Sequence, residues 1–169
     1  MENEFGVLSR VAGLFSARAF NIESLTVAET LDPTVSRITL VTRGDDRVVE
    51  QIEKQLKKLI GVIHVSDFTG TAHVEREMAL IKVRADETTR AEVMNIVDIF
   101  RGKVIDVGPK SFIVEVTGDE EKIAAFIDLL RPLGILEIVR TGKVAMHRGA
   151  RLMFSGNEES VQQKEEQLA

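Results

Sequence analysis

The sequence predicts an α+β protein with two small units in succession, each an antiparallel sheet that carries helices on one face. The same order of helical and strand-like patterns occurs in both halves of the 169 residues. In addition, 44% of the residues are hydrophobic and 29% are charged. This composition allows either one compact domain or two small ones.

The first half reads helix, strand, strand, helix, strand. Apolar residues of its first helix share one face: Val7, Val11, Leu14 and Phe15. Strand-like runs follow at residues 22–28 and 36–42, joined by an Asp-Pro-Thr turn. The second helix is capped near Asp45 and carries a similar stripe, made of Val48, Ile52, Leu56 and Leu59. Residues 62–67 are predicted to form the last strand.

The second half repeats this order with a strand added at its start. We expect a strand at residues 78–85, a helix at 88–100 that ends at Gly102, and strands at 103–107 and 111–117. An apolar stripe predicts a further helix up to Arg131-Pro132 and Gly134, formed by Ile123, Phe126, Ile127 and Leu130. Residues 135–140 supply the final strand. The resulting order, β-α-β-β-α-β, is the ferredoxin-like plan.

Compared with that plan, the first unit lacks its opening strand, because residues 1–4 are too short and too polar to form one. In a ferredoxin-like sheet this strand lies in the interior, so its absence leaves two rows of backbone groups unpaired. We expect a first domain at residues 1–68, a linker at 69–75 and a second domain at 76–153. Residues 154–169 are polar and charged and predict a disordered tail.

Composition also excludes several classes of function. The chain has no cysteine, which rules out disulfides and thiolate chemistry and suits a reducing compartment. A net charge of -5 without Trp or Tyr disfavours a nucleic-acid binder. No apolar run approaches the roughly 20 residues that cross a bilayer, so we expect a cytoplasmic protein with no membrane contact. Three widely spaced histidines, His64, His73 and His147, give no metal-binding pattern.

A candidate ligand site lies at residues 3–7, where the chain enters the first helix. Free N–H groups and the positive end of the helix dipole can hold a carboxylate there, and Gly6 lets the backbone approach a ligand closely. Asn21 follows the same helix and can orient the carboxylate or ammonium group of an amino acid. From these residues alone, ordinary helix capping is the more common explanation.

Several stretches resemble one family. Asn-Ile-Glu-Ser-Leu-Thr-Val at residues 21–27 and Asp-Pro-Thr-Val-Ser-Arg at 32–37 resemble the signature of the small regulatory subunit of acetolactate synthase, whose regulatory module is an ACT domain. The resemblance continues at residues 3–11, 100–102, 105–107 and 140–142. It implies an N-terminal ACT domain followed by an ACT-like domain.

This resemblance implies a non-catalytic subunit of branched-chain amino acid biosynthesis, covering valine and isoleucine. Such a subunit activates the large catalytic subunit of acetolactate synthase and mediates allosteric feedback inhibition by valine. The ligand lies between the ACT domains of a homodimer. Thiamine diphosphate, FAD and magnesium belong to the catalytic subunit in this family, so we expect no cofactor on this chain.

Carried over to this sequence, the resemblance assigns valine binding to Asn3, Gly6, Val7, Asn21 and Ile22. Two residues depart from the family pattern. Phe5 stands where a small residue is usual and is expected to narrow or reshape the pocket. Ala19 replaces a usual glycine, and a left-handed conformation there would cost about 1 kcal/mol relative to glycine.

Two other functions remain open from the sequence. An acylphosphatase-like enzyme would need an anion-binding loop after an opening strand, but the Glu-Asn-Glu loop at residues 2–4 is acidic. A free-standing ACT-type amino-acid sensor needs no enzyme partner. A sensor that acts on transcription would need a basic DNA-binding element, which is not evident here.

Overall fold

The computed structural model describes residues 1–150 and 152–153. The tail expected to be disordered, residues 154–169, lies outside the described residues. Within the described part, the chain forms four helices and seven strands. The α+β class predicted from the sequence is confirmed by this architecture.

The first half packs two helices on one face of a β-hairpin. Its elements are α1 (Val7–Ala17), β1 (Ile22–Glu29), β2 (Ser36–Thr42) and α2 (Asp46–Leu56). The strands pair antiparallel, with Leu25 opposite Leu40. The Asp45 carboxylate accepts a hydrogen bond from the Val48 N–H at 2.9 Å, which confirms the predicted cap. The helix ends before Leu59, although Leu59 still packs on the core of this half.

The predicted strand at residues 62–67 is wrong, since this segment has no regular secondary structure. The reason lies in the sheet order of the ferredoxin-like plan, in which the last strand pairs only with the first. The first half has no opening strand among its described residues. Its last segment therefore has no neighbour with which to form a ladder.

Residues at the N-terminus occupy the end of the position that an opening strand would take. Glu2 and Val35 form an isolated antiparallel bridge. The Ser36 N–H donates to the Met1 carbonyl at 2.8 Å, and the Asn3 N–H donates to the Thr34 carbonyl at 2.7 Å. These bonds attach the loop before α1 to the start of β2.

The second half forms a complete ferredoxin-like unit. Its elements are β3 (His73–Arg84), α3 (Arg90–Ile99), β4 (Lys103–Val107), β5 (Ser111–Gly118), α4 (Glu120–Gly134) and β6 (Ile135–Arg140). The strands are ordered β4-β5-β3-β6 and are antiparallel. Alternate residues of β3 are fully buried against the two helices: Ala79, Ile81 and Val83. Alternate side chains of the strands and the apolar faces of α3 and α4 together form the core.

Two features of β3 differ from the prediction. The strand begins at His73, so the last three residues of the predicted linker at 69–75 belong to it. Its first four residues pair with a further strand, β7 (Val144–His147), which the sequence patterns did not predict. The strand β7 has only four residues, too few for a clear period-two pattern.

Helix ends also differ in detail from the expected ones. Arg101, with φ 53°, takes the left-handed position after α3. The N–H of Gly102 donates to the Val97 carbonyl at 2.8 Å. A Cβ on Gly102 would lie 2.8 Å from the Glu115 carbonyl oxygen, so close packing requires this glycine. The helix α4 runs through Pro132 and ends at Gly134, as the sequence predicts, and Leu133 packs on the core.

The end of α1 contains the left-handed alanine anticipated from the sequence. Ala19 has φ 56°. The Ala19 N–H donates to the Ser16 carbonyl at 3.2 Å, and the Phe20 N–H donates to the Phe15 carbonyl at 3.0 Å. The Phe15 and Phe20 rings meet edge to face with centroids 6.1 Å apart. These bonds and the apolar contact form a Schellman motif with alanine in the usual glycine position.

The two halves meet where the turn between β6 and β7 lies against the hairpin of the first half. The Thr26 hydroxyl donates to the Thr141 carbonyl at 3.1 Å, and the Arg37 guanidinium donates to the Ala145 carbonyl at 2.6 Å. A Cβ on Gly142 would lie 2.8 Å from the Thr26 hydroxyl oxygen. Hydrogen bonds and close packing thus fix this junction.

Candidate functional site

The start of α1 is an uncapped helix N-terminus. Gly6 occupies the N-cap position with φ 84° and ψ -12°, a left-handed conformation that favours glycine. No side chain caps the helix, and its first turn contains no acidic residue. The N–H groups of the first turn and the positive end of the dipole are therefore uncompensated by side chains, which suits a carboxylate.

Arg10 adds positive charge beside this N-terminus. Its Nη1 donates to the Ile60 carbonyl at 2.9 Å, which holds the guanidinium in place. A Cβ on Gly6 would lie 3.8 Å from its Nη2. Arg10 is not among the residues that the sequence assigns to this site. Its spacing of four residues from Gly6, one helical turn, was the signal that could have placed it there.

Asn3 is held by the turn between β1 and β2. Its Nδ2 donates to the Pro33 carbonyl at 2.9 Å and to Glu29 Oε1 at 3.1 Å. Since Asn3 donates its side-chain N–H groups to this turn, its amide oxygen is the group that can accept a hydrogen bond from an ammonium group.

The turn that holds Asn3 is itself braced by Asp32. The Thr34 N–H and hydroxyl donate to Asp32 Oδ1 at 2.9 Å and 2.6 Å. These hydrogen bonds lower the pKa of Asp32, because they stabilise the carboxylate form. The turn thus presents the Pro33 carbonyl to Asn3 in a fixed position.

Two of the five predicted site residues have side chains in the core of the first half. The Val7 side chain is buried against Gly61, where an added Cβ would come within 2.7 Å of Val7 Cγ2. Val7 can therefore offer a ligand only its backbone N–H, which here donates to the Glu4 carbonyl at 3.4 Å. Ile22 is half-buried and packs against the cluster around Val11 and Phe15.

The structure separates the predicted residues into two groups. Asn3, Gly6 and Val7 lie together at the start of α1, whereas Asn21 and Ile22 follow its end. The helix has 11 residues. At 1.5 Å per residue, the two groups lie roughly 16 Å apart along its axis. One chain therefore does not bring all five residues to one ligand.

Phe5 points away from the chain's own fold. Its exposed fraction is 103%, and that of Leu31, at the tip of the turn between β1 and β2, is 106%. In a single chain Phe5 does not cover the helix N-terminus. These two large apolar side chains flank the loop and turn that Asn3 connects.

Comparison with known proteins connects this chain to an ACT-containing class. Residues 1–64 match the family model described as the AHAS small subunit-like ACT domain. Residues 76–149 match the model described as the small subunit of acetolactate synthase. The two matches cover the incomplete first unit and the complete second unit respectively.

Similar whole chains carry the same name. A probable acetolactate synthase small subunit of Methanothermobacter thermautotrophicus is 54% identical over 154 residues, covering 90% of this chain and 92% of the relative. An acetolactate synthase isozyme 3 small subunit of Salmonella typhimurium is 51% identical over 154 residues, with 90% and 94% covered. The crystal structure of the acetolactate synthase small subunit of Thermotoga maritima aligns with a TM-score of 0.80 at 49% identity, covering 89% of this chain and 94% of that one.

This chain belongs to the acetolactate synthase small-subunit family, as its resemblance to the family's signature predicted. Family membership agrees with a role in branched-chain amino acid biosynthesis. Of the helices that the structure describes, none has the length and apolar character needed to span a membrane.

Proposed function

We propose that this chain is a non-catalytic regulatory subunit that activates the large catalytic subunit of acetolactate synthase and makes it sensitive to feedback inhibition by valine. The observation that carries this proposal is the uncapped N-terminus of α1, with the Arg10 guanidinium beside Gly6 and the Asn3 amide fixed nearby. The helix N-terminus can hold the carboxylate of a free amino acid, and the amide oxygen can accept a hydrogen bond from its ammonium group.

A homodimer completes the site in this proposal. The sheet of the first half contains β1 and β2 only, so the outer edge of β1 has no neighbouring strand among the described residues. In a two-fold antiparallel pair of β1 strands, the start of one strand lies beside the end of the other. That places Asn21 of one copy near Glu29 of the other, and Glu29 is bound by Asn3. The two separated groups of predicted residues would then face one ligand.

Regulation follows from differential affinity. Valine that bridges two copies would favour one arrangement of the pair, and only the difference in affinity between arrangements can shift the catalytic partner. The second half, with its complete sheet, provides a rigid body for contact with that partner. In this proposal thiamine diphosphate, FAD and magnesium belong to the catalytic subunit. This chain regulates the reaction of that subunit without taking part in the chemistry.

The test is an assay of acetolactate formation by the cognate catalytic subunit, with and without this chain and with and without L-valine. We expect activation by the chain and reversal by L-valine, while D-valine serves as a control of equal composition. An unchanged rate on addition of the chain would refute activation. Valine binding without any effect on the catalytic subunit would favour the free-standing sensor.

A further inference from the structure

The turn between β6 and β7 lies under the middle of β1. The Thr26 hydroxyl donates to the Thr141 carbonyl at 3.1 Å. A Cβ on Gly142 would lie 2.8 Å from the Thr26 hydroxyl oxygen and 3.4 Å from Ser24 Cβ. Both β1 side chains point to the face of the first sheet opposite to that of Leu40, which packs in the core. The turn therefore lies on the face that carries no helix.

From this turn the chain extends in two directions. On one side β7 runs under β2, because the Arg37 guanidinium donates to the Ala145 carbonyl at 2.6 Å. On the other side β6 leaves the turn. Both strands pair with the same edge of β3, so they run in one line. Since this line lies under β2 and then under β1, β6 continues towards the outer edge of β1.

The outer edge of β1 is where the homodimer proposed above pairs its two copies. The corresponding strand of the complete second half, β4, also lies at the edge of its sheet. In a two-fold antiparallel pair the middle of each β1 lies beside the axis, and the two Thr26 residues are diagonal neighbours roughly 7–8 Å apart. Because each turn is bonded to Thr26, both turns and the adjoining ends of both β6 strands lie close to this axis.

We propose that β6 forms a second contact between the two copies. Residues 136–141, which we call the β6 surface, pack against the same residues of the other copy beneath the paired β1 strands. The partner is a second copy of this chain, because the axis that pairs the β1 strands brings the two β6 surfaces together. This inference rests on the homodimer of the proposed function. Through the added contact, a change in the pairing of β1 is passed to the second halves.

The exposure of β6 agrees with a surface that is covered in the dimer. Every residue of the strand after Ile135 is exposed. Three of them are large and apolar, with exposed fractions of 53%, 40% and 56%: Leu136, Ile138 and Val139. An exposed edge strand with large apolar side chains is a site of association unless it is covered.

The size of the interface also favours a second contact. The strand β1 has eight residues. A ladder of this length spans roughly 27 Å and, at a sheet thickness of about 10 Å, covers roughly 270 Å² of each copy. A stable interface buries about 800 Å² of each partner. Pairing of β1 alone therefore supplies about a third of that area, and the β6 surface adds apolar area to it.

Charges do not oppose this contact. The Arg140 guanidinium donates to Glu77 Oε1 at 2.9 Å. Glu137 lies directly opposite Lys82. Each charged residue of the β6 surface thus has a neighbour of opposite sign on β3 of its own chain. Two copies therefore meet without unpaired like charges at the axis.

The test places a charge in the proposed contact of the full chain. Val139→Lys brings two lysines together across the axis, so we expect the Kd of the dimer in sedimentation equilibrium to rise at least roughly tenfold. The rise should shrink as salt is added. Val107→Lys is the matched control, because Val107 is a similarly exposed valine on β4, at the opposite edge of the same sheet. Its Kd should not change.

Distance measurements test the two contacts separately and do not depend on a destabilising charge. The chain has no cysteine, so Val27→Cys and Val139→Cys each carry one nitroxide label per copy. Electron paramagnetic resonance of the dimer should place the two Val27 backbones roughly 15 Å apart, which reports the pairing of β1. The two Val139 backbones should lie within roughly 20 Å of each other.

The outcomes distinguish this inference from the homodimer on which it rests. Close Val27 labels with Val139 labels far beyond roughly 20 Å, or an unchanged Kd for Val139→Lys, would overturn the β6 contact and leave the homodimer. Equal weakening by Val107→Lys would also overturn it, since the effect would then not be specific to β6. A chain that stays monomeric, or a dimer with distant Val27 labels, would overturn the homodimer and the β6 contact together.

Discussion

The substitution Gly6→Asp tests the carboxylate-binding role of the helix N-terminus most directly. A carboxylate on Gly6 would begin from a Cβ 3.8 Å from Arg10 Nη2, in the space that a ligand carboxylate is proposed to use. Because Gly6 has φ 84°, any side chain there also strains the backbone. Gly6→Asn is therefore the matched control, since asparagine has nearly the same shape and conformational preference but no charge.

The magnitude follows from the repulsion between two carboxylates. Two like charges at about 4 Å cost about 1 kcal/mol in water and about 4 kcal/mol at the effective dielectric constant near a protein surface. Arg10 offsets part of this cost, and the loop is exposed to solvent. We expect the Asp variant to bind valine with a Kd roughly 10 to 100 times higher than that of the Asn variant.

Isothermal titration of valine into each full-length variant measures this ratio without the catalytic subunit. The gap between the Asp and Asn variants should narrow as salt is added, because the site is exposed and the repulsion is screened. Urea unfolding of both variants separates backbone strain, which should be similar in the two, from the effect of charge. Equal valine affinity of the Asp and Asn variants would refute the proposal that this N-terminus holds the ligand carboxylate.

Three further predictions concern stability and are measured by urea unfolding. Ala19→Gly should raise the free energy of unfolding by about 1 kcal/mol by relieving a left-handed alanine, whereas Ala12→Gly within α1 should lower it by about 0.5–1 kcal/mol; a loss at both positions would contradict this account. Glu77→Gln should lower it by about 1–3 kcal/mol, since buried Glu77 accepts a hydrogen bond from Arg140 Nε at 2.9 Å; a neutral result would show that this pair contributes nothing net. Hydrogen bonds from Thr88 and Thr89 lower the pKa of Asp86 from 3.8 to about 2, so their stabilisation is present above pH 3.8 and is lost as the pH falls through about 2. The destabilisation caused by Asp86→Ala should shrink over this range, and a constant difference between pH 5 and 2, roughly the span of this titration, would argue against the assignment.

Elements with a strong local pattern were predicted closely. The bounds of β4 match the prediction, and those of β2 also agree, because period-two patterns and turn residues define them locally. The prediction of a strand at residues 62–67 was wrong because strand formation depends on a partner strand, which the local sequence does not encode. The strand β7 was not predicted for a related reason, since its four residues are stabilised by pairing with a distant part of the chain.

The sequence predicted which residues belong to the candidate site better than it predicted how they are arranged. Gly6 and Asn3 were assigned through the family resemblance, and they remain a prediction until ligand binding is measured. The separation of Asn21 from Gly6 follows from the length of α1 and was accessible from the helical stripe alone. Arg10 could not be assigned to the site from the sequence, because arginine on an exposed helix face is most often simply solvated. The Asn3 contact with Pro33 joins residues that are 30 apart, which no local pattern encodes.

The junction between the halves has a consequence for the folding of this chain during translation. Its hydrogen bonds link Thr26 to Thr141 and Arg37 to Ala145, pairs that are 115 and 108 residues apart. Translation at about 5–20 residues per second separates the synthesis of these partners by roughly 5–20 s. During that interval the surface of the nascent hairpin around Thr26 and Arg37 is uncovered, which exposes it to aggregation or to capture by chaperones. Ribosome stalling before codon 141 would prolong this exposed state. The second half of the chain therefore protects the first half once it has been synthesised.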